Sequence, residues 1–487
     1  MSDVEFRVAD SLERIFPEPA AIADWDDVLQ RAGGGRGDRG SRFGREQAAR
    51  LRRGRRRWRV LLPAAAALIV AGASTAAFGT VRDLLFGERR TVAVASAATW
   101  SPDGRRIAFL TIACIPDSTP GCNGLVAFNV MNADGSGQRN LTREWGLEGA
   151  PASLFKGHPV WSPDWRKVAF VRERGGYGYS DIYVINADGS GRRRLTRSPQ
   201  NEAKPPGGAN RFVCPRACDG DPVWSPDGRR LAFVRIRGGR ADIYVVSADG
   251  SGLSRLAHAI AFTPSPGGPS SGFGANPAWS PDGRRIAFMS NRVGNDDIFV
   301  VNADGGGLRN LTPGRGDDRK RVAWFSFDGP MWSPDGSKIV FRARRDRPTQ
   351  SEWEVCRPPR GGGTCARDEI YVVNADGSGL RRLTHNWKSD GTPAWSPDGR
   401  KILFLRSGWR DSAEVEGDVY VMNADGSGQR NLTRSVTRPY STERAPAWSP
   451  DGRKIIFVSN RDRNSEIYVM NADGSGLRKL TELKGEE

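Results

Sequence analysis

Beyond residue 90 the apolar positions fall in short runs, about four to six residues long, bounded by Gly, Pro, Asn and Asp. Runs of that length are strand-sized, and their Ile, Val, Phe and Tyr content suits a pleated sheet. The stretch from Pro446 to Thr481 gives the pattern in full. Pro446-Ala447-Trp448 predicts a short inner strand and Lys454 to Ser459 (KIIFVS) a second. Glu466 to Met470 (EIYVM) predicts a third, and Leu477 to Thr481 (LRKLT) an outer one. Between the first two, Ser449-Pro450-Asp451-Gly452 reads as a type I turn, with Pro pre-setting φ and Gly in fourth place. Asn471-Ala472-Asp473-Gly474 turns the chain again, its Gly supplying a left-handed residue.

That unit recurs. Trp-Ser-Pro-Asp begins at Trp100, Trp161, Trp224, Trp279, Trp332, Trp395 and Trp448, which places its aspartates at Asp103, Asp164, Asp227, Asp282, Asp335, Asp398 and Asp451. A second element, essentially Asn-Ala-Asp-Gly-Ser-Gly, begins at Asn132, Asn186, Ser247, Asn302, Asn374, Asn423 and Asn471. The two alternate seven times, with a Trp-to-Trp spacing of 53 to 63 residues. Four antiparallel strands per unit and seven units predict an all-β chain, a seven-bladed β-propeller over residues 91–487. The repeated tryptophans read as packing between blades and the repeated aspartates as turn residues.

These residues resemble the WD40-like (PD40) repeats of TolB-type propellers, which share the W-S-P-D-G and I-Y-V-M-N-A-D-G elements. The resemblance covers about residues 91–484. It implies an extracytoplasmic propeller that binds proteins. TolB itself carries a small α/β domain before its propeller. Here a basic segment and an apolar stretch stand in that place.

The apolar stretch, Val60 to Val81, has no charged residue. At about 1.5 Å rise per residue it would reach roughly 33 Å as a helix, enough for the hydrocarbon core of a bilayer. Arg31 to Arg59 carries 12 Arg against Asp38 and Glu46. An Arg-rich flank stays on the cytoplasmic side. The sequence therefore predicts a basic cytoplasmic segment with short helices over 1–59, a single transmembrane helix over 60–81, a linker over 82–90, and the propeller outside the cytoplasmic membrane. A cytoplasmic partner for residues 1–59 is a further expectation, from Val4, Val8, Leu12 and Ile15 at helical spacing.

Net charge is +17, which invites nucleic acid as a partner. Its distribution argues otherwise. The run before the apolar stretch is explained by topology and headgroups, and from Arg82 onward 59 basic residues face 46 acidic ones without forming a stripe.

Within such a blade the Ser-Pro-Asp-Gly and Asn-Ala-Asp-Gly turns lie on one face, with nearly constant length. The long connections, including Ile112–Gly124, Arg197–Asp221 and Arg342–Asp368, lie on the other. Binding residues usually ride on loops held by a rigid scaffold, so the elaborated face is the expected binding face. The six cysteines fall as Cys114/Cys122, Cys214/Cys218 and Cys356/Cys365, each pair inside one such loop. In an exported chain this spacing reads as three loop-stapling disulfides; zinc is the rival reading, but no His neighbours any pair at ligand spacing.

Other chemistry is sparse. Gly268-Pro269-Ser270-Ser271-Gly272 matches G-x-S-x-G outside a strand-to-helix elbow. His158, His258 and His385 flank blade connections and read as scattered surface residues. No catalytic residue, cofactor or metal site is assigned. The expected function is non-enzymatic: a membrane-anchored scaffold or sensor binding a protein or cell-envelope ligand. The alternative is a propeller enzyme, a glycan lyase or hydrolase, with perturbed titratable groups at the channel mouth.

Overall fold

The computed structural model describes residues 92–483 apart from 115–124, 145–158, 175–178, 198–216, 238–239, 262–274, 294–296, 314–328, 346–366, 387, 411–412, 434–441 and 463. Within them the chain is all-β but for one helical turn, Leu141–Glu144. Each sequence repeat forms one antiparallel blade whose strands pair in chain order. Blade 6 shows the plan, with Ser389–Trp395 inside, then Lys401–Arg410, Ala413–Asn423 and the two-residue outer strand Arg430–Asn431. The described residues hold seven such blades, and one parallel bridge, Ser180 to Cys218, joins blades 2 and 3.

The two turns of each blade sit side by side at one end of the strands. In blade 7 the Ala472 N–H donates to the carbonyl of Arg453 at 2.8 Å, and the same bond recurs in every blade. Each Ser-Pro-Asp-Gly turn is closed internally. The Ser333 hydroxyl accepts the Lys338 N–H at 2.9 Å and donates to Asp335 at 2.5 Å, while Asp335 also accepts the Ser337 N–H. The Ser333 and Ser337 hydroxyls thereby hold Asp335 down at about 2. The repeated aspartates are turn residues, as the sequence predicts.

Alternate residues of the second and third strands point into opposite seams between blades. The seam between blades 5 and 6 takes Val340, Ile370 and Val372 from one side and Trp395, Ile402, Phe404 and Met422 from the other. Burial of each such side chain contributes about 2 kcal/mol. The blade tryptophans stitch the seams: Trp224, Trp279, Trp332, Trp395 and Trp448 each donate their indole N–H to a carbonyl on the preceding blade's inner strand, at 3.0–3.3 Å.

The ring closes without strand exchange. The inner strand of blade 1, Val92–Trp100, pairs along its length with Arg106–Cys114 of its own blade. Blade 7 meets it through packing: Trp100, Ile107, Phe109 and Met131 lie against Ile456, Val458, Ile467 and Val469. The Ala95 N–H adds one bond to the Ser465 carbonyl at 2.9 Å.

One part of the expected architecture does not stand. Among the described residues no helix is long and apolar enough to cross a membrane. The expected transmembrane helix over 60–81 and the basic segment over 1–59 lie outside the described residues. A charge-free run is a condition for a span and not a span, because the backbone must also satisfy itself as a continuous helix. Among the described residues the fold is an all-β propeller with no membrane-spanning helix, and single-pass placement with the N-terminus inside is withdrawn.

Candidate functional site

The strand ends opposite the two repeated turns carry the long connections, and there the blades bury charge. The residue five before the blade tryptophan is acidic in three repeats: Asp219, Asp390 and Glu443, each fully buried. An arginine on the second strand, or in blade 7 in the turn just after it, answers each. Arg235 grips Asp219 in a bidentate pair at 2.6 and 2.7 Å, and Arg406 grips Asp390 at 2.7 and 2.8 Å. Arg461 donates to Glu443 at 2.7 Å. These guanidinium groups lie flat over the blade's own aromatic pair: Arg406 sits 5.2 Å from the Phe404 ring and 4.6 Å from Tyr420, and Arg461 sits similarly over Phe457 and Tyr468. Stacking fixes each guanidinium plane so that it meets the carboxylate edge-on.

A second set of acids opens the third strand. Asp181, Asp297, Glu369 and Glu466 are buried there. A threonine closing the outer strand serves this position. The Thr384 hydroxyl accepts the Ile370 N–H at 3.0 Å and donates to Glu369; Thr481 does the same for Ile467 and Glu466. Arg382 adds a 2.6 Å contact to Glu369, and Arg194 one of 3.0 Å to Asp181. Asp297 has only Asn310 and Thr312 as partners.

Burial pushes five of these carboxyls up. Glu369 rises to about 7, because desolvation outweighs the Thr384 hydroxyl and Arg382. Desolvation likewise raises Asp219, Asp297, Glu443 and Glu466. The titratable groups are thus perturbed at the end the sequence marks for binding, yet they are closed off by their own partners. They pin the strand ends that carry the long loops, and a substrate does not reach them in this arrangement.

The residues singled out by sequence sort as follows. Trp100, Trp224, Trp279, Trp332 and Trp395 are buried at seams. Trp161 differs and stacks on Trp165 at 4.5 Å. The histidines do not gather: His258 is largely exposed beside Asp242 at 3.2 Å, His385 is exposed, and His158 lies outside the described residues. So does the Gly268–Gly272 loop. Cys218 is buried and disulfide-bonded, and no described cysteine is free. Cys122, Cys214, Cys356 and Cys365 lie outside the described residues. No group of three His, Cys, Asp or Glu able to hold a metal occurs among the described residues. The buried acids and their arginines escaped the sequence reading. The signal was present, an acid five before Trp in three repeats and before the Ile-Tyr-Val run in others, but strand ends commonly carry charge.

No protein-family model matches the chain. An uncharacterized protein of Agrobacterium fabrum is 28% identical over 250 residues, half of this chain and 68% of its own length. The uncharacterized peptidase YuxL of Bacillus subtilis is 26% identical over 208 residues, and a TolB homolog of Chlorobium luteolum 28% identical over 178. The chain spans only 29% and 31% of the length of those two relatives, and they align with 38% and 37% of it. Among solved structures, a puromycin-hydrolyzing peptidase of Mycobacterium tuberculosis superposes with a TM-score of 0.52 at 15% identity, over 82% of this chain and 55% of that one. The fold is that of a TolB-like β-propeller. The comparisons also correct the expectation of a non-enzyme: a relative similar over 208 residues carries a peptidase's name, so the resemblance does not mark a chain as non-catalytic.

Proposed function

We propose that the propeller is a recognition module that binds a protein ligand on the face bearing its long connections. One observation carries this reading: the two faces of the same seven blades are built to opposite rules. The turn face repeats one hydrogen-bonding pattern in every blade. The other face varies its connections while buried Arg–carboxylate pairs hold the strand ends beneath them. A rigid base with variable loops is the usual arrangement for binding. On this reading the cysteines staple the loops, with Cys114 joined to Cys122, Cys214 to Cys218 and Cys356 to Cys365. Mapping of tryptic peptides under non-reducing conditions tests the pairing, and any other connectivity rejects it.

Site-specific photocrosslinking tests the face. Val293, 59% exposed, leaves the second strand of blade 4 toward the loop-bearing side, whereas Leu477, 44% exposed, follows a repeated turn. Crosslinks to a partner from position 293 and none from 477 support the reading. The reverse pattern moves the binding surface to the turn face, where Leu253, Leu308 and Leu380 are also exposed.

A second reading, catalysis at the loop-bearing end, draws on Glu369 and its pKa of about 7. It requires Glu369 to become accessible when ligand binds. Turnover of a peptide or glycan library that Glu369→Gln abolishes, with the melting curve preserved, would establish it.

A further inference from the structure

Three seams place an acid from the third strand of one blade beside an acid from the inner strand of the next. Between blades 2 and 3 these are Asp181 and Asp219, and two arginines answer them, Arg194 and Arg235. Between blades 5 and 6 they are Glu369 and Asp390, again with two, Arg382 and Arg406. Between blades 6 and 7 they are Asp418 and Glu443, and the count fails. Arg461 holds Glu443 Oε1 at 2.7 Å. The outer-strand position that supplies Arg194 and Arg382 in the other seams is here Asn431, whose amide meets Asp418 at 2.7 Å without charge. Glu443 is fully buried and its Oε2 has no hydrogen-bond partner.

We propose that the seam between blades 6 and 7 is a binding site for one positive charge, and that its occupant is a proton on Glu443. An uncompensated buried carboxylate is costly, and it neutralises rather than remain charged. A metal ion needs space and several oxygen ligands; Glu443 is wholly enclosed, and no three-residue metal-ligating group occurs among the described residues. A proton needs neither. The charged groups around Glu443 are consistent with this. Asp418 faces it from the third strand of blade 6 and disfavours its ionisation. In blade 6, Asp390 and Arg406 neutralise each other. In its own blade Arg444 is its neighbour in sequence, Arg461 is its single cation, and Glu466 is occupied by Thr481 and Leu483. The inner strand of blade 1, Val92–Trp100, packs on blade 7 and holds no titratable side chain. Burial raises the Glu443 carboxyl, Arg461 and the Ser459 hydroxyl oppose it, and Asp418 adds a smaller raise.

The site sits beside the blade whose far side closes without strand exchange and without an indole bond from Trp100. A group raised in the folded state stabilises below its unfolded pKa and loses that contribution as pH rises through its folded pKa. Acidity would therefore tighten the grip on the last blade, and a rise in pH through the folded pKa of Glu443 would loosen it.

The test is urea unfolding of the whole chain between about pH 5 and 8, for the native protein, Glu443→Gln and Asn431→Arg. Other raised carboxyls form a common background, so the readout is the difference between curves. The unfolding constant of the native protein should climb relative to that of Glu443→Gln by up to about tenfold per pH unit between the unfolded and the folded pKa, and level off above the latter. Asn431→Arg, which restores the second arginine, should shrink the climb while leaving Glu443 in place. Parallel curves for the native protein and either variant overturn the proposal. Recovery of native stability at neutral pH on adding calcium, magnesium or potassium chloride, beyond an equal ionic strength of choline chloride, also overturns it, since a metal would then be the occupant. Should Glu443→Gln fail to fold, Asn431→Arg carries the comparison. Should both fail, carbon-13 glutamate NMR in a background of Glu369→Gln and Glu466→Gln must show a glutamate carboxyl titrating above the ordinary range; its absence overturns the proposal.

Discussion

Trp165 stands where the other six Ser-Pro-Asp turns carry glycine, and it keeps the glycine's conformation, at φ 56° against 67–69° for the others. A left-handed residue with a side chain costs about 1–2 kcal/mol. Its stack on Trp161, with ring centroids 4.5 Å apart, returns roughly 0.5–1.5 kcal/mol. The two effects nearly cancel, so Trp165→Gly should leave stability within about 1 kcal/mol of the native protein. Trp165→Ala keeps the backbone strain and loses the stack, and should destabilise by about 1 kcal/mol in urea melts. Trp161 makes none of the indole bonds described for five other blades, and an open cleft of about 260 Å³ lies between blades 1 and 2 against Ala97, Phe109 and Leu110. Glu369 gives a second residue-scale expectation. Its pKa is raised to about 7 by burial, so its contribution is complete below the unfolded value near 4.3 and is lost as pH rises through about 7. Glu369→Gln should flatten the stability profile across that window, and an unchanged profile would show that Arg382 holds the group ionised.

At the scale of the strand, the unit that repeats is an arginine stacked on an aromatic pair and clamped to the inner strand. Removing one partner leaves a buried charge alone. Arg406→Ala should cost about 3–5 kcal/mol, whereas a double change of Arg406 and Asp390 to Met and Leu should recover most of it. If the single and double variants lose the same stability, the clamp acts through packing and not charge. The same elements show how far the sequence could be read. Turns and strand runs were legible because their chemistry is local: Pro450 and Gly452 act within four residues, and Phe457 faces Tyr468 across a single hairpin. The clamps were not, because Asp390 and Arg406 become partners only once two strands register, and Asp418 meets Glu443 only once two blades stack. Trp165 was visible as a departure from the repeat, but its consequence depends on the neighbouring blade. The long connections, where the proposed ligand would bind, share no pattern between repeats that periodicity could extend.

Across the whole ring, the seams are chemically alike but unequal in strength, and blade 1 lies between the two weakest. The five seams from blade 2 to blade 7 each carry an indole N–H bond, whereas Trp100, at the closure with blade 7, buries an indole nitrogen without a partner. The join rests instead on apolar contacts, the Ala95 amide, and the Arg478 guanidinium donating to the Asp134 carbonyl at 2.9 Å. Such a seam is where local opening should begin, because apolar packing and a few hydrogen bonds, without the indole bond of the other seams, oppose it. Amide exchange at Ala95 should therefore outpace exchange at amides paired inside a blade, such as Ile456. Paired substitutions isolate the cause. Trp332→Phe removes a made bond, strands the Ala278 carbonyl and should cost about 1–2 kcal/mol beyond the change in apolar area. Trp100→Phe removes a donor that has no acceptor, and should be neutral or stabilising by a similar order. Equal losses for the two variants would mean that the closure carries a bond equivalent to the others and that the ring has no preferred place to open.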